Sequence, residues 1–118
     1  MATNKFIILS LLAFLFLSSC KEDKTDARTP SVLLSQQQMV EVMTDVQILE
    51  QAINYRRGKN ITTVNLKSEG FDAVFSHHGI TDSIFLENID YYNSNPLLMK
   101  NILDSVHANF KRIQDNLR

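Results

Sequence analysis

The sequence predicts a small all-α domain, with three or four helices arranged around the two longest. Apolar residues recur at three- and four-residue steps along four stretches, which is the pattern of amphipathic helices. The connections between these stretches are short, and no pair of strands is visible in the pattern. Helices that each keep one polar face are expected to enclose a single core.

The chain begins with a pattern typical of a secretory signal. Lys5 is the only charge of a short polar start, and about 12 mostly apolar residues, 6–17, follow it. A helix needs roughly 20 apolar residues to cross a bilayer, so a transmembrane anchor is the weaker interpretation. The run Leu17-Ser18-Ser19-Cys20 then resembles the lipobox of bacterial lipoproteins. We expect residues 1–19 to be a removed signal peptide.

Cys20 would be acylated and would become the first residue of the mature chain. It is the only cysteine, so no intramolecular disulfide can form. Each buried methylene contributes about 0.8 kcal/mol, so several acyl chains hold a protein firmly. We therefore expect the chain to contact the membrane through its N-terminal lipid.

The charged residues Lys21, Glu22 and Asp23 follow immediately. They resemble the signal that sends lipoproteins of Bacteroidota to the outer leaflet of the outer membrane. The alternative is an ordinary charged tether, because charge clusters are common in disordered segments. We expect a lipid-anchored outer-membrane protein that faces outside, or otherwise the periplasm.

A flexible tether is expected next, because residues 21–30 contain no large apolar side chain to offset the entropy of ordering. We assign the lipidated cysteine and tether to residues 20–34 and the helical domain to residues 35–118. The chain has 12 basic and 13 acidic residues and no basic stripe. Nucleic-acid binding is therefore not expected.

The first two helices have recognisable ends. Ser35 is a good N-cap, and Arg56-Arg57-Gly58 is a stop signal. Residues 59–65 are polar and β-branched and predict a loop. A short second helix, capped by Gly79, follows. Its apolar face is formed by Phe71, Val74, Phe75 and His78.

The last two helices are defined by their starts. Thr81 is the predicted N-cap of the third helix. Asn95 caps the fourth, with Pro96 at the first helical position, where proline is well tolerated. Val106 and Phe110 lie in the middle of the apolar stripe of this helix and are expected in the core.

Three segments together resemble a known family. They are Met39 to Val46, Phe71 to Thr81 and Tyr91 to Pro96. With the lipobox and the tether, they are similar to the small Bacteroidota lipoprotein family catalogued as domain of unknown function 4296. The resemblance covers nearly all of the mature chain and implies an α-helical fold and an envelope location. It implies no activity and no catalytic residues.

Asp45 lies at the edge of the apolar stripe of the first helix. A carboxylate there is either solvated or partly buried with a partner, because unpaired burial is costly. Tyr91, Tyr92 or a terminal basic group are the expected partners. A structural hydrogen bond is favoured over catalysis, since a general acid or base also needs a pocket and a second group.

A metal site is not expected. His77 and His78 are adjacent, and neighbouring residues of a helix project about 100° apart. His107 has only Asp104 at ligand spacing, and two ligands make a weak site. The expectation is that His78 caps or packs at a helix end and that His77 is solvated.

The tyrosines are candidates for a binding face, because tyrosine is favoured in interfaces. Tyr55 is one, and of the adjacent pair Tyr91 and Tyr92 one is expected to pack inward and the other to lie at the rim. Asp45 is a further candidate contact residue.

The expected function is a non-enzymatic accessory subunit of an envelope complex for assembly, export or uptake, with an outer-membrane protein as partner. No nucleophile motif, phosphate loop or paired-carboxylate cleft is present in the sequence, so no catalytic residue or cofactor is expected. A passive structural lipoprotein is one alternative. A ligand- or glycan-binding module is another, although the chain contains no tryptophan.

Overall fold

The computed structural model describes residues 28–118. The predicted signal peptide, Cys20 and residues 21–23 lie outside this range. The described residues form four helices and no strand: α1 (Gln36–Gly58), α2 (Val64–His77), α3 (Asp82–Asn93) and α4 (Pro96–Asn116). The predicted all-α class is confirmed. Between residues 28 and 118, no helix is both long enough and apolar enough to span a membrane.

Three of the helices begin at the predicted N-caps. The side chains of Ser35, Thr81 and Asn95 each accept a hydrogen bond from the backbone N–H three residues further on. At Ser35 the Gln38 side chain also accepts a bond from the cap's own N–H, which completes a capping box. Each cap satisfies backbone donors that the first helical turn leaves unpaired.

The end of α1 differs from the prediction. Gly58 is helical, and the left-handed residue is Asn60, with φ of 56°. The N–H of Asn60 donates to the carbonyl of Arg57, and that of Ile61 donates to Arg56, which is a Schellman ending. Asparagine tolerates the left-handed region better than most residues, so it takes the position usually held by glycine.

The second helix begins at Val64, well before the predicted position near Phe71, so residues 64 and 65 are not part of a loop. Close packing against α1 explains the extension. A Cβ atom on Gly70 would lie 2.6 Å from the Cδ1 of Leu49. Glycine weakens an isolated helix, but here it allows α2 to approach α1.

Each of the four helices packs on two of the others. Helix α1 packs on α4 and α2, and α3 packs on the same two helices. The Phe75 ring lies 5.1 Å from that of Phe85 and links α2 to α3. The main core cluster comprises Leu34, Met39, Tyr92, Met99, Ile102 and Val106.

The two residues predicted for the centre of α4 have different environments. Val106 is buried, with 3% of its surface exposed. Phe110 is only half-buried, because it lines an open groove between α4 and Gln47 of α1. The expectation that Phe110 is a full core residue was therefore wrong.

Residues 30–34, assigned to the tether, instead pack on α3, and we call this segment the strap. Asn88 of α3 is completely buried. Its Oδ1 accepts a 2.8 Å bond from the N–H of Leu34, and its Nδ2 donates a 2.8 Å bond to the carbonyl of Val32. The Tyr92 hydroxyl donates to the carbonyl of Leu34. The folded unit therefore begins with the strap and not with α1.

Candidate functional site

Asp45 and His78 form a bond between two helices. The Nε2 of His78 lies 2.8 Å from the Oδ2 of Asp45, although the residues are 33 positions apart. The expected partners, Tyr91, Tyr92 or a terminal basic group, were wrong. Helix α2 packs along α1, and this brings the C-terminal end of α2 to the edge of α1 where Asp45 lies.

His77 joins this pair. The rings of His77 and His78 meet edge to face, with centroids 5.1 Å apart and an interplanar angle of 82°. Donor atoms of Asp45, His77 and His78 all lie within 4.8 Å of one another. The 100° spacing of adjacent residues therefore does not keep the ring nitrogens of the two histidines apart, as the sequence expectation assumed. That expectation used only the direction of the Cα–Cβ bonds along an ideal helix. The imidazole rings extend well beyond the Cβ atoms, and these two residues lie at the end of the helix.

The backbone that carries the histidines is fixed by a helix ending. His77 is the last residue of α2, and His78 is its C-cap. Gly79 follows with φ of 65°, and the N–H of Ile80 donates to the carbonyl of Phe75 at 3.0 Å. This is a Schellman ending of the kind predicted from Gly79. The two imidazoles are therefore carried by a defined turn rather than by a long loop.

The pair of tyrosines packs as one inner and one outer ring. Tyr92 is 5% exposed, and burial raises the pKa of its hydroxyl, with a further contribution from Tyr91. Tyr91 is half-buried, with its ring 5.3 Å from that of Tyr92. Burial removes Tyr92 from the candidate contact residues and leaves Tyr91 at the rim.

Tyr55 does not share a face with these two tyrosines. It is 67% exposed near the C-terminal end of α1, whereas Tyr92 bonds to Leu34 at the other end. Tyr55 lies 20 positions after Ser35, which corresponds to about 30 Å along a helix.

Tyr55 is one of three exposed apolar residues located where α1 ends and α2 begins. Ile61, in the connection between α1 and α2, is 49% exposed, and Val64, the first residue of α2, is 75% exposed. We call Tyr55, Ile61 and Val64 the apolar tip. It is flanked by basic residues, and the Nζ of Lys59 lies 5.9 Å from the centroid of the Tyr55 ring. The sequence pattern assigned Ile61 and Val64 to a polar loop, so neither residue was predicted as a contact residue. The signal that could have indicated them was the presence of two large apolar residues in an otherwise polar segment.

The third histidine is separate from this cluster. His107 is exposed on α4 and lines the groove that also contains Phe110. Asp104, its expected neighbour at ligand spacing, pairs instead with Lys100 at 2.6 Å. Throughout residues 28–118, every buried side-chain nitrogen or oxygen has a hydrogen-bond partner.

The fold and the clusters described above define a small all-α domain preceded by a packed strap. The chain belongs to the family described as Domain of unknown function (DUF4296), which matches residues 30–116. The match begins at the strap, in agreement with the packing of residues 30–34. Comparisons with curated proteins and with solved structures find no match.

Proposed function

We propose that this chain is an outer-membrane lipoprotein held by acyl chains on Cys20. In this proposal the helical domain acts through protein–protein contact, as a non-enzymatic subunit of an assembly, export or uptake complex. The observation that carries the proposal is the apolar stretch 6–17 followed by Ser18-Ser19-Cys20. A short apolar stretch before small residues is typical of a cleaved export signal, and the cysteine provides the acylation site.

The position of the strap supports a contact role close to the membrane. The strap is bonded to α3 immediately before the start of α1. About ten residues separate Cys20 from Pro30, and a tether of that length, if it is the coil that its composition predicts, would span on the order of 20 Å. This reach allows the domain to dock on a neighbouring membrane protein but not to cross the periplasm.

The apolar tip supplies the contact surface in this proposal. Helix α1 has 23 residues, so its two ends are about 34 Å apart. The strap lies before one end, and the tip surrounds the other. Tyrosine and arginine are enriched in protein interfaces, and Arg56 and Arg57 adjoin Tyr55. An anchor at one end of α1 thus leaves an apolar surface free at the other.

Surface display is a separate part of the proposal and rests on Lys21, Glu22 and Asp23. Alanine at all three positions is expected to protect the protein from external protease while leaving its lipidation intact. Mass spectrometry of the N-terminus provides the control for lipidation. Equal protease sensitivity of the wild type and the triple variant would contradict export by this signal.

Native co-purification tests the contact role. In mild detergent and at normal expression, the wild type is expected to recover an integral outer-membrane protein. The double variant Tyr55→Ala/Val64→Ala should recover much less. Leu97→Ala should match the wild type, since Leu97 is an exposed residue at the start of α4, the end that packs beside the strap. Recovery of the lipoprotein alone would contradict the subunit role and favour a passive or ligand-binding role.

A ligand-binding role has one structural feature in its favour, the groove between α1 and α4. Half-buried Phe110 lines it beside charged and polar side chains: Gln47, His107, Lys111, Gln114, Asp115 and Arg118. Such a combination suits a small amphipathic ligand. Native mass spectrometry of the protein with candidate glycans tests this role. A complex that Phe110→Ala weakens would favour it over the subunit role.

A further inference from the structure

We propose that Asp45, His77 and His78 form a binding site for one divalent transition-metal ion of the zinc type. The site joins α1 to the C-terminal end of α2. Donor atoms of all three side chains already lie within 4.8 Å of one another. The inference does not depend on the lipid anchor or on a protein partner.

The donor set determines the class of ion. Two imidazole nitrogens and one carboxylate oxygen are borderline ligands that suit zinc and its neighbours, whereas calcium and magnesium prefer oxygen ligands alone. Tetrahedral zinc with bonds of about 2.0–2.1 Å holds its ligands roughly 3.3 Å apart. The separation of His78 and Asp45, 2.8 Å, is already close to that value.

A small movement of His77 completes the site. This side chain is exposed, so a change of rotamer meets little packing resistance. His78 and Asp45 are more restricted, with 16% and 40% of their side-chain surface exposed. The site therefore has two positioned ligands, one adaptable ligand and an open approach from solvent.

Three protein ligands leave one position of a tetrahedral ion free. Zinc sites of this kind bind water, a substrate atom or a donor from another molecule at that position. Bound metal would also cross-link α1 and α2, because Asp45 and the histidines lie on different helices. Without metal, the hydrogen bond between Asp45 and His78 holds the same two ligands in place.

Titration calorimetry with Zn²⁺ tests the proposal on the full chain in mild detergent. Every sample carries Cys20→Ser, which removes the only thiol, and has no histidine tag. One ion per chain is expected, and Co²⁺ should give the visible absorption of a tetrahedral site. His77→Ala and Asp45→Asn should each weaken binding more than about tenfold, since even outer-shell partners of metal ligands contribute that much.

His107→Ala is the matched control, because His107 is the remaining histidine and lies on α4. It is expected to bind Zn²⁺ like the parent chain. His77→Ala is the decisive variant, since exposed His77 can be truncated without opening the core, and circular dichroism will check its helical content. Absence of stoichiometric binding, or parental affinity in His77→Ala, would overturn the proposal.

Discussion

The Tyr92 hydroxyl donates a 2.6 Å hydrogen bond to the backbone carbonyl of Leu34, 58 residues earlier in the chain. Both residues are buried, with 5% and 4% of their surface exposed. Asn88, one helical turn before Tyr92, binds the N–H of the same Leu34. Two polar side chains of α3 therefore satisfy both backbone groups of one strap residue, and this pairing fixes where the folded domain begins.

Asn88→Ala is expected to destabilise the domain by about 2 kcal/mol or more. The substitution leaves the buried N–H of Leu34 and the part-buried carbonyl of Val32 without their partner, and an unpaired buried group costs about 1–3 kcal/mol. Asn93→Ala, at an exposed position of the same helix, should change stability by less than about 0.5 kcal/mol. Urea unfolding measures both, and equal losses would contradict this account of the strap.

Glu87 makes the strap sensitive to acid. The backbone N–H and the hydroxyl of Ser31 donate to its Oε2 at 2.8 and 2.9 Å. These bonds, the backbone one foremost, lower the pKa of Glu87 from its ordinary value of 4.5. The stabilisation is therefore present above pH 4.5 and is lost as the pH falls through the lower pKa of the folded state.

The matched measurement is the free energy of unfolding of the wild type and of Glu87→Gln across the acid range. The wild type should be more stable near neutral pH, and the difference should shrink in acid as the carboxylate becomes protonated. Glu69→Gln, at an exposed position of α2, should show no comparable change. A difference for Glu87→Gln that is independent of pH would contradict the assigned role of the carboxylate.

Gly79 is required for its backbone conformation and not for space. A Cβ there would have no atom within 4 Å, but φ is +65°. Gly79→Ala should therefore cost about 1–2 kcal/mol. Gly58→Ala is the control, because Gly58 is helical, has equally open surroundings and should gain about 0.4–1 kcal/mol. Thermal unfolding compares the two, and a neutral Gly79→Ala would contradict the requirement.

Local signals in the sequence were sufficient to predict most of the fold. Ser35, Thr81 and Asn95 cap helices through contacts three residues away, so the residues that define each start are close in the sequence. The strap could not be predicted in this way. Its bonds to Asn88 and Tyr92 join residues more than 50 positions apart, and the short apolar run Val32-Leu33-Leu34 does not by itself show which helix it packs on.

The candidate site was predictable only in part. The sequence placed Asp45 at the edge of a helix and expected a partner. It could not identify His78, because that contact depends on how α2 packs along α1. The same packing brings His77 to the pair. The apolar tip is defined by the exposure of Ile61 and Val64 where α1 ends and α2 begins. Hydrophobic periodicity does not determine that exposure.

Photo-crosslinking from position 55 in intact cells tests whether the lipid anchor presents the apolar tip to a membrane partner. A photoreactive residue replaces Tyr55, and in a second chain it replaces exposed Leu97, at the start of α4, as a control. The account predicts a crosslink from position 55 to an integral outer-membrane protein, absent at position 97 and lost with Cys20→Ala. No crosslink from position 55, or the same crosslink without Cys20, would contradict it.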